Sequence, residues 1–354
     1  MEQSHKMAWL VGGGASLIAL VGGAAAAKAP AGPDFKPGVE AKIEDAEIGG
    51  LGYYLVYVPM NYSPDRAWPL VFCYHGVNGE PATWPFRQAT RGRDFIIVGM
   101  EYYRRGLQGY GFVNKDVENV KRIVPYLVKR LKIDKDRLFI GGFSMGGFMT
   151  VKIAGRTLPL WAGILILGAS GRPSGAAGGY RGKAVYIGVG EKDSSYKSAQ
   201  ASVEAYQRFG ARVTFDMYPG RGHEVDADSK AMRDWFLANG PLRHIEPLVA
   251  KARLVEKQGR LGEAYALYQE AAKASKDYGP CQEAAKAAGA LAARFEAKLA
   301  EADQRVEGGK YPAARTILGR LAREYVGSEF KNRAQKRLEE IRGLETPKAP
   351  ATTS

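Results

Sequence analysis

Cysteine and histidine are scarce in this chain: two and four residues among 354. Cys73 sits inside an apolar run and Cys281 opens a helical stretch far downstream, so neither a disulfide framework nor a metal site by cysteine spacing is expected. With only His5, His75, His223 and His244 present, a metal centre is not expected either, and few side chains are left that could act as a general base. No cofactor is expected. Nucleic-acid motifs are also missing. The chain carries 51 Lys and Arg against 37 Asp and Glu, but the excess is spread along it, and no recognition motif accompanies the basic runs Arg87, Arg91, Arg93 and Arg104, Arg105. Such a charge reads as a solvated basic surface, with no nucleic-acid partner. The apolar share, 45 %, is ordinary for a globular protein, so a sizeable core is expected and global disorder is not.

The N-terminus opens with His5 and Lys6, followed by an apolar, glycine-rich stretch from Met7 to Ala27 that ends in an Ala25-Ala26-Ala27 cleavage pattern. Residues 1–27 therefore read as a secretory signal peptide, with an uncleaved N-terminal anchor as the alternative, and the mature protein as secreted or periplasmic with no membrane contact after cleavage. No cysteine follows the stretch, so lipid attachment there is not suggested. Residues 28–49, rich in proline and glycine at their start, read as a linker.

From Gly50 to Gly240, short apolar runs alternate with amphipathic stretches. Tyr53–Pro59, Leu70–Tyr74, Phe95–Met100, Leu138–Phe143, Gly163–Leu167, Ala184–Val189 and Val213–Tyr218 read as strands. Helical spacing appears over Asp116–Leu131, after Met145, over Ser198–Phe209 and over Ser229–Asn239. Continuous Val, Ile and Leu strands alternating with helices predict an α/β fold: a mostly parallel sheet covered on both faces. Gly240-Pro241 breaks the last helix, and residues 241–345 change character to Ala, Leu, Glu, Lys and Arg, an all-α segment. Within it, Val255–Ala274 and Val306–Tyr325 match at an offset of about fifty residues. Gly259, Ala264, Leu267 and Ala271 correspond to Gly309, Ala314, Ile317 and Leu321, which resembles tetratricopeptide-type helical hairpins and suggests a protein partner for these helices. The tail, residues 346–354, reads as disordered.

The strongest chemical signal is Gly142-Phe143-Ser144-Met145-Gly146-Gly147, a G-x-S-x-G pattern between an expected strand and an expected helix. A serine at the tip of a sharp strand-to-helix turn needs strained backbone angles and neighbours almost without side chains, and Gly142 and Gly146 supply that room. The turn aims a helix N-terminus at the serine, so the Met145 N–H can stabilise negative charge. A serine hydroxyl also needs a base. His223, in the glycine-rich loop just beyond the last expected strand, is the candidate; His244 and His5 lie outside the α/β region, which leaves His75 as rival. An acid between serine and histidine in chain order completes the set. Asp193 is preferred over Glu191, both following the Ala184–Val189 strand. His75-Gly76-Val77-Asn78-Gly79 follows the Leu70–Tyr74 strand directly, and a tight turn there can point the Val77 N–H at a developing oxyanion, with His75 bracing the turn.

Together His75-Gly76, Gly142-Phe143-Ser144-Met145-Gly146-Gly147, Gly190-Glu191-Lys192-Asp193 and Gly222-His223 resemble the α/β-hydrolase superfamily. The segment from Asp136 to Gly147 resembles the secreted esterases related to polyhydroxybutyrate depolymerases and feruloyl esterases, and the dienelactone-hydrolase-like and phospholipase/carboxylesterase-type enzymes share much of the pattern. The resemblance implies a Ser144, Asp193, His223 triad with the amides of Val77 and Met145 as oxyanion hole. It spans about Gly50 to Ala238 and leaves out the C-terminal helices. The aromatic or disulfide-bound elements of secreted depolymerases are not evident, and the short Gly/Ser/Ala-rich interval between Leu167 and Ala184 leaves little chain for a helical lid. The expectation is a serine esterase with an open site for small carboxylic esters. The alternatives are a serine peptidase of the same fold and an inactive hydrolase domain presenting the helices as a scaffold.

Overall fold

The computed structural model describes residues 34–104, 112–175 and 178–345. The signal peptide or anchor expected at 1–27 and the tail at 346–354 lie outside the described residues. Strand β1 (Glu40–Glu44) lies within the stretch expected to be a linker, and is followed by β2 (Tyr53–Tyr57) and β3 (Trp68–Tyr74). Then come α1 (Phe86–Ala89), β4 (Ile96–Met100), α2 (Val113–Val128), β5 (Ile133–Phe143), α3 (Met145–Arg156) and β6 (Gly163–Leu167). The sheet is completed by β7 (Ala184–Gly190), α4 (Tyr196–Arg208), β8 (Arg212–Tyr218) and α5 (Lys230–Asn239).

These strands form one sheet in the order β1-β2-β4-β3-β5-β6-β7-β8. β1 and β2 are antiparallel to each other, β2 is antiparallel to β4, and every pair from β4 to β8 is parallel. β3 shows why continuous apolar runs were the right signal. All seven of its residues are buried: Leu70, Phe72 and Tyr74 enter the core on one face of the sheet, and Val71 and Cys73 enter the core on the other. A strand buried on both faces has no polar side to alternate with. β1 is the opposite case and corrects the linker expectation. Its sequence Glu-Ala-Lys-Ile-Glu buries only Ile43, because an edge strand with one neighbour leaves most of its side chains in water. The mostly parallel sheet with helices on both faces is the fold class that the sequence pattern and the α/β-hydrolase resemblance implied.

Strand order reverses around β3. The chain leaves β3 for β4 on one side, then crosses back by α2 to β5 on the other. In such sheets the carboxyl ends of the strands flanking the reversal open a crevice where ligands bind. The loops after β3 and β5 carry His75–Gly79 and Ser144.

Arg137 ties the entry of this region together. Its guanidinium donates to Asp134 Oδ2 at 2.6 Å, to the Ala67 carbonyl at 3.0 Å and to the Gly240 carbonyl at 3.2 Å, joining the starts of β3 and β5 to the end of α5. Ser229 caps α5, accepting from the amides of Ala231 and Met232.

Beyond α5 the chain is helical: α6 (Ile245–Lys257), α7 (Leu261–Lys273), α8 (Gly279–Glu307), α9 (Tyr311–Glu324) and α10 (Glu329–Glu345). They share a separate core in which Ala252, Ala264, Ala271, Phe295, Leu318 and Tyr325 are buried, and Leu237 and Ala238 of α5 pack against it. The two matching sequence segments fall on the α6–α7 and α8–α9 hairpins. Gly259 and Gly309 occupy equivalent turns with φ of +76° and +68°, and Ala264 and Ala314 are equally buried in the helices that follow. None of the described helices is long and apolar enough to cross a membrane.

Candidate active site

Ser144 links the end of β5 to the start of α3, with φ +55° and ψ −118°. Side chains rarely adopt this region, and a residue is held there only where its surroundings over-determine it. The neighbours do so. A Cβ on Gly146 would stand 2.1 Å from the Tyr74 carbonyl, and one on Gly142 would stand 2.5 Å from the same oxygen, so α3 closes onto β3 and β5 only with glycine at both positions. The Ser144 N–H donates to the Leu167 carbonyl at 2.8 Å, which fastens the turn to β6. As the first residue of α3, Met145 has no intrahelical partner for its N–H.

His223 stands in the loop after β8. Its Nε2 is 2.8 Å from Ser144 Oγ and its Nδ1 is 2.7 Å from Asp193 Oδ2. Asp193 follows β7, and its side chain is shut off from solvent, while that of His223 is 48 % exposed. The other carboxylate oxygen of Asp193 accepts the Ser195 N–H at 2.7 Å, so both oxygens are held. A buried, fixed carboxylate on Nδ1 selects the tautomer with a bare Nε2 facing the serine and favours the imidazolium once that nitrogen takes a proton. The structure thus brings together Ser144, Asp193 and His223 from three loops at the carboxyl edge of the sheet.

Glu191, the rival acid, points elsewhere: its Oε2 accepts the Gly220 N–H at 2.7 Å. With the Lys192 N–H donating to the Arg221 carbonyl at 2.8 Å, it staples the β7 loop to the histidine loop. His75, the rival base, lies 3.0 Å through Nε2 from Glu101 Oε1 and 2.7 Å through Nδ1 from the Gly76 carbonyl. It braces the turn that carries Val77. Val77 is 45 % exposed there, and a Cβ built on Gly76 would lie 3.5 Å from Ser144 Cβ, so the turn runs directly beside the serine.

Two residues escaped the sequence reading. Phe143 faces His223, ring centroids 5.0 Å apart, and Glu101 is fully buried beneath His75. Phe143 could have been suspected as the one aromatic residue inside the glycine-rich turn. Glu101 carries a weaker signal, a carboxylate placed straight after the apolar run of β4. Among the described residues no cluster of His, Cys, Asp or Glu is suited to hold a metal ion, and both cysteines are free and buried. No helix occurs among the described residues between Gly168 and Lys183, the interval where a lid was not expected.

Residues 107–237 match the sequence model of the phospholipase/carboxylesterase family, so the α/β-hydrolase resemblance holds for the segment carrying Ser144, Asp193 and His223. The bifunctional acetylxylan esterase/xylanase of Neocallimastix patriciarum is 31 % identical over 105 residues, which cover 27 % of this chain and 14 % of that protein. The chain therefore spans about one seventh of the length of this relative. Among solved structures, the ferulic acid esterase of Anaeromyces mucronatus aligns with a TM-score of 0.44 at 16 % identity, covering 60 % of this chain and 92 % of that one. A phospholipase/carboxylesterase from Dyadobacter fermentans aligns with a TM-score of 0.39 at 21 % identity, covering 52 % of this chain and 93 % of that one.

Proposed function

We propose that this α/β-hydrolase-fold chain is a serine-dependent ester hydrolase that acts on small carboxylic esters through an acyl-enzyme. The observation that carries the proposal is the continuous hydrogen-bonded run from Ser144 Oγ to His223 Nε2, 2.8 Å, and from His223 Nδ1 to Asp193 Oδ2, 2.7 Å. Hydrogen-bond contact of this kind lets a weak nucleophile lose its proton as it attacks. His223 accepts the Ser144 proton while Oγ bonds to the ester carbonyl carbon. The N–H groups of Met145 and Val77 receive the oxyanion, each contributing about 3 kcal/mol in the transition state. His223 then returns the proton to the departing alcohol. Water, activated by the same imidazole, cleaves the acyl-enzyme and frees the acid. The exposed His223 and Val77, and the absence of a helix among the described residues of 168–183, support an open site and a small soluble substrate.

The test is hydrolysis of p-nitrophenyl esters of increasing acyl length, run beside fluorophosphonate labelling. Activity on the short esters and labelling that both vanish in Ser144→Ala, with the circular dichroism spectrum unchanged, support the reading. Activity retained in Ser144→Ala refutes it. Wild-type protein that cleaves only peptide anilides would make the chain a peptidase of the same fold, and a wild-type chain that takes no label would make it a scaffold.

A further inference from the structure

The turn beside Ser144 is held by an unusual buried arrangement. Glu101, the first residue after β4, is fully buried, and its Oε1 takes both His75 Nε2 at 3.0 Å and the Tyr102 N–H at 2.8 Å. The other ring nitrogen of His75 lies 2.7 Å from the Gly76 carbonyl oxygen. That oxygen also accepts the Gly79 N–H at 3.1 Å, and the Tyr102 hydroxyl donates to the His75 carbonyl at 2.5 Å. Both nitrogens of one imidazole thus face oxygen acceptors, one of them a carboxylate. A carbonyl oxygen can only accept, so the contact with Gly76 calls for the proton on Nδ1, and Nε2 is left to share a hydrogen bond with Glu101.

The bond to the Gly76 oxygen matters because of what shares its plane. The Gly76 carbonyl and the Val77 N–H belong to one peptide unit, planar and trans, so they point in opposite directions. Fixing the carbonyl fixes the N–H. The alternative is a flipped peptide, which would turn a carbonyl toward the place where the oxyanion forms. Asn78, with φ +56°, occupies the left-handed third position of the Gly76–Gly79 turn, a site where asparagine is tolerated in place of glycine.

We propose that Glu101 is a positioning residue for the oxyanion hole: by holding Nε2 of His75 it keeps Nδ1 on the Gly76 carbonyl, locks the Gly76–Val77 peptide plane and so aims the Val77 N–H at the reacting carbonyl. This rests on the reading of Val77 as an oxyanion donor. Glu101 touches no substrate. It acts only on the orientation of a backbone dipole, so its loss affects the transition state far more than the bound ester.

The experiment compares wild type with Glu101→Gln, which keeps the size of the side chain and removes its charge. On a short p-nitrophenyl ester, kcat should fall about 10- to 100-fold, below the 10²- to 10³-fold loss for outright removal of a donor, with KM changed less than about twofold. Affinity for an alkyl boronic acid, whose tetrahedral adduct on Ser144 places an oxygen in the hole, should weaken by a similar factor, while inhibition by the product carboxylic acid should not. A folded Glu101→Gln with wild-type kcat overturns the proposal, as does a loss that tracks only the folded fraction. Should the variant fail to fold, nitrogen-15 NMR of the wild type decides: a hydrogen-bonded ring N–H at Nδ1 of His75 supports the lock, and a bare Nδ1 overturns it. Wild-type protein that Ser144-directed fluorophosphonate does not label would instead bring down the esterase reading, before any variant is compared.

Discussion

The Nδ1 of His223 lies 2.7 Å from Oδ2 of Asp193, a carboxylate whose side chain is closed to solvent although the imidazole is half exposed. The histidine is therefore reachable from solvent and anchored from the protein side. Glu191, two residues before Asp193, takes no part in this contact and holds the Gly220 amide.

The two carboxylates should separate in kinetics. Asp193→Asn presents an amide where the tautomer-selecting acceptor stood, and kcat for a short ester should fall about 10³- to 10⁴-fold. Glu191→Gln loses a charge but keeps an acceptor for Gly220, and should cost only a few-fold. Equal losses in the two variants would mean that the acid has been misassigned.

Ser144 holds a conformation that glycine adopts freely and that any side chain opposes. Ser144→Ala retains the strain and Ser144→Gly releases it. Both variants should be inactive, and Ser144→Gly should be more stable than Ser144→Ala by about 1 kcal/mol or more, measured by urea unfolding. A glycine variant no more stable than the alanine variant would show that the elbow is unstrained.

Asp116 on α2 is buried, which pushes its carboxyl up from 3.8 to about 7; the Tyr103 N–H, 2.8 Å away, pulls the other way, and nearby Glu101 adds to the rise. The folded state then binds this proton more tightly than the unfolded chain does. The contribution to stability is fully present below about pH 4, is lost as pH rises to about 7, and is flat above that. Asp116→Asn removes the dependence. The stability of the variant minus that of wild type should therefore climb between pH 4 and 7, at up to about 1.4 kcal/mol per pH unit, and level off beyond. Denaturant midpoints at one-unit intervals check it, and a difference independent of pH would refute it.

Gly259 and Gly309 close equivalent turns at positive φ, and nothing lies within 4 Å of a Cβ added at either. Their cost is conformational alone, so Gly259→Ala and Gly309→Ala should each destabilise by about 1 kcal/mol. Ester hydrolysis at 25 °C should be unchanged, since neither turn belongs to the catalytic loops. A large difference between the two variants would break the equivalence of the hairpins.

What the sequence determined by itself is what depends on neighbours along the chain. Apolar runs without polar alternation marked the buried parallel strands, because a strand covered on both faces admits nothing else. Gly142 and Gly146 around Ser144 announced the elbow, because a Cβ on either would stand only 2.1 to 2.5 Å from the Tyr74 carbonyl oxygen. The fifty-residue echo of Gly259 in Gly309 marked two hairpins. Tertiary structure alone decided what depends on distance across the fold. It set Asp193 against His223 and Glu191 against the Gly220 amide, although the two share a loop and a chemistry and differ only in where the loop aims them. It placed β1, whose polar sequence becomes a strand only by pairing with β2. It also put Glu101 under His75, twenty-six residues away, where adjacent parallel strands β3 and β4 end side by side. Periodicity reports which face of an element is buried, but it carries no record of which loop ends meet at the edge of the sheet.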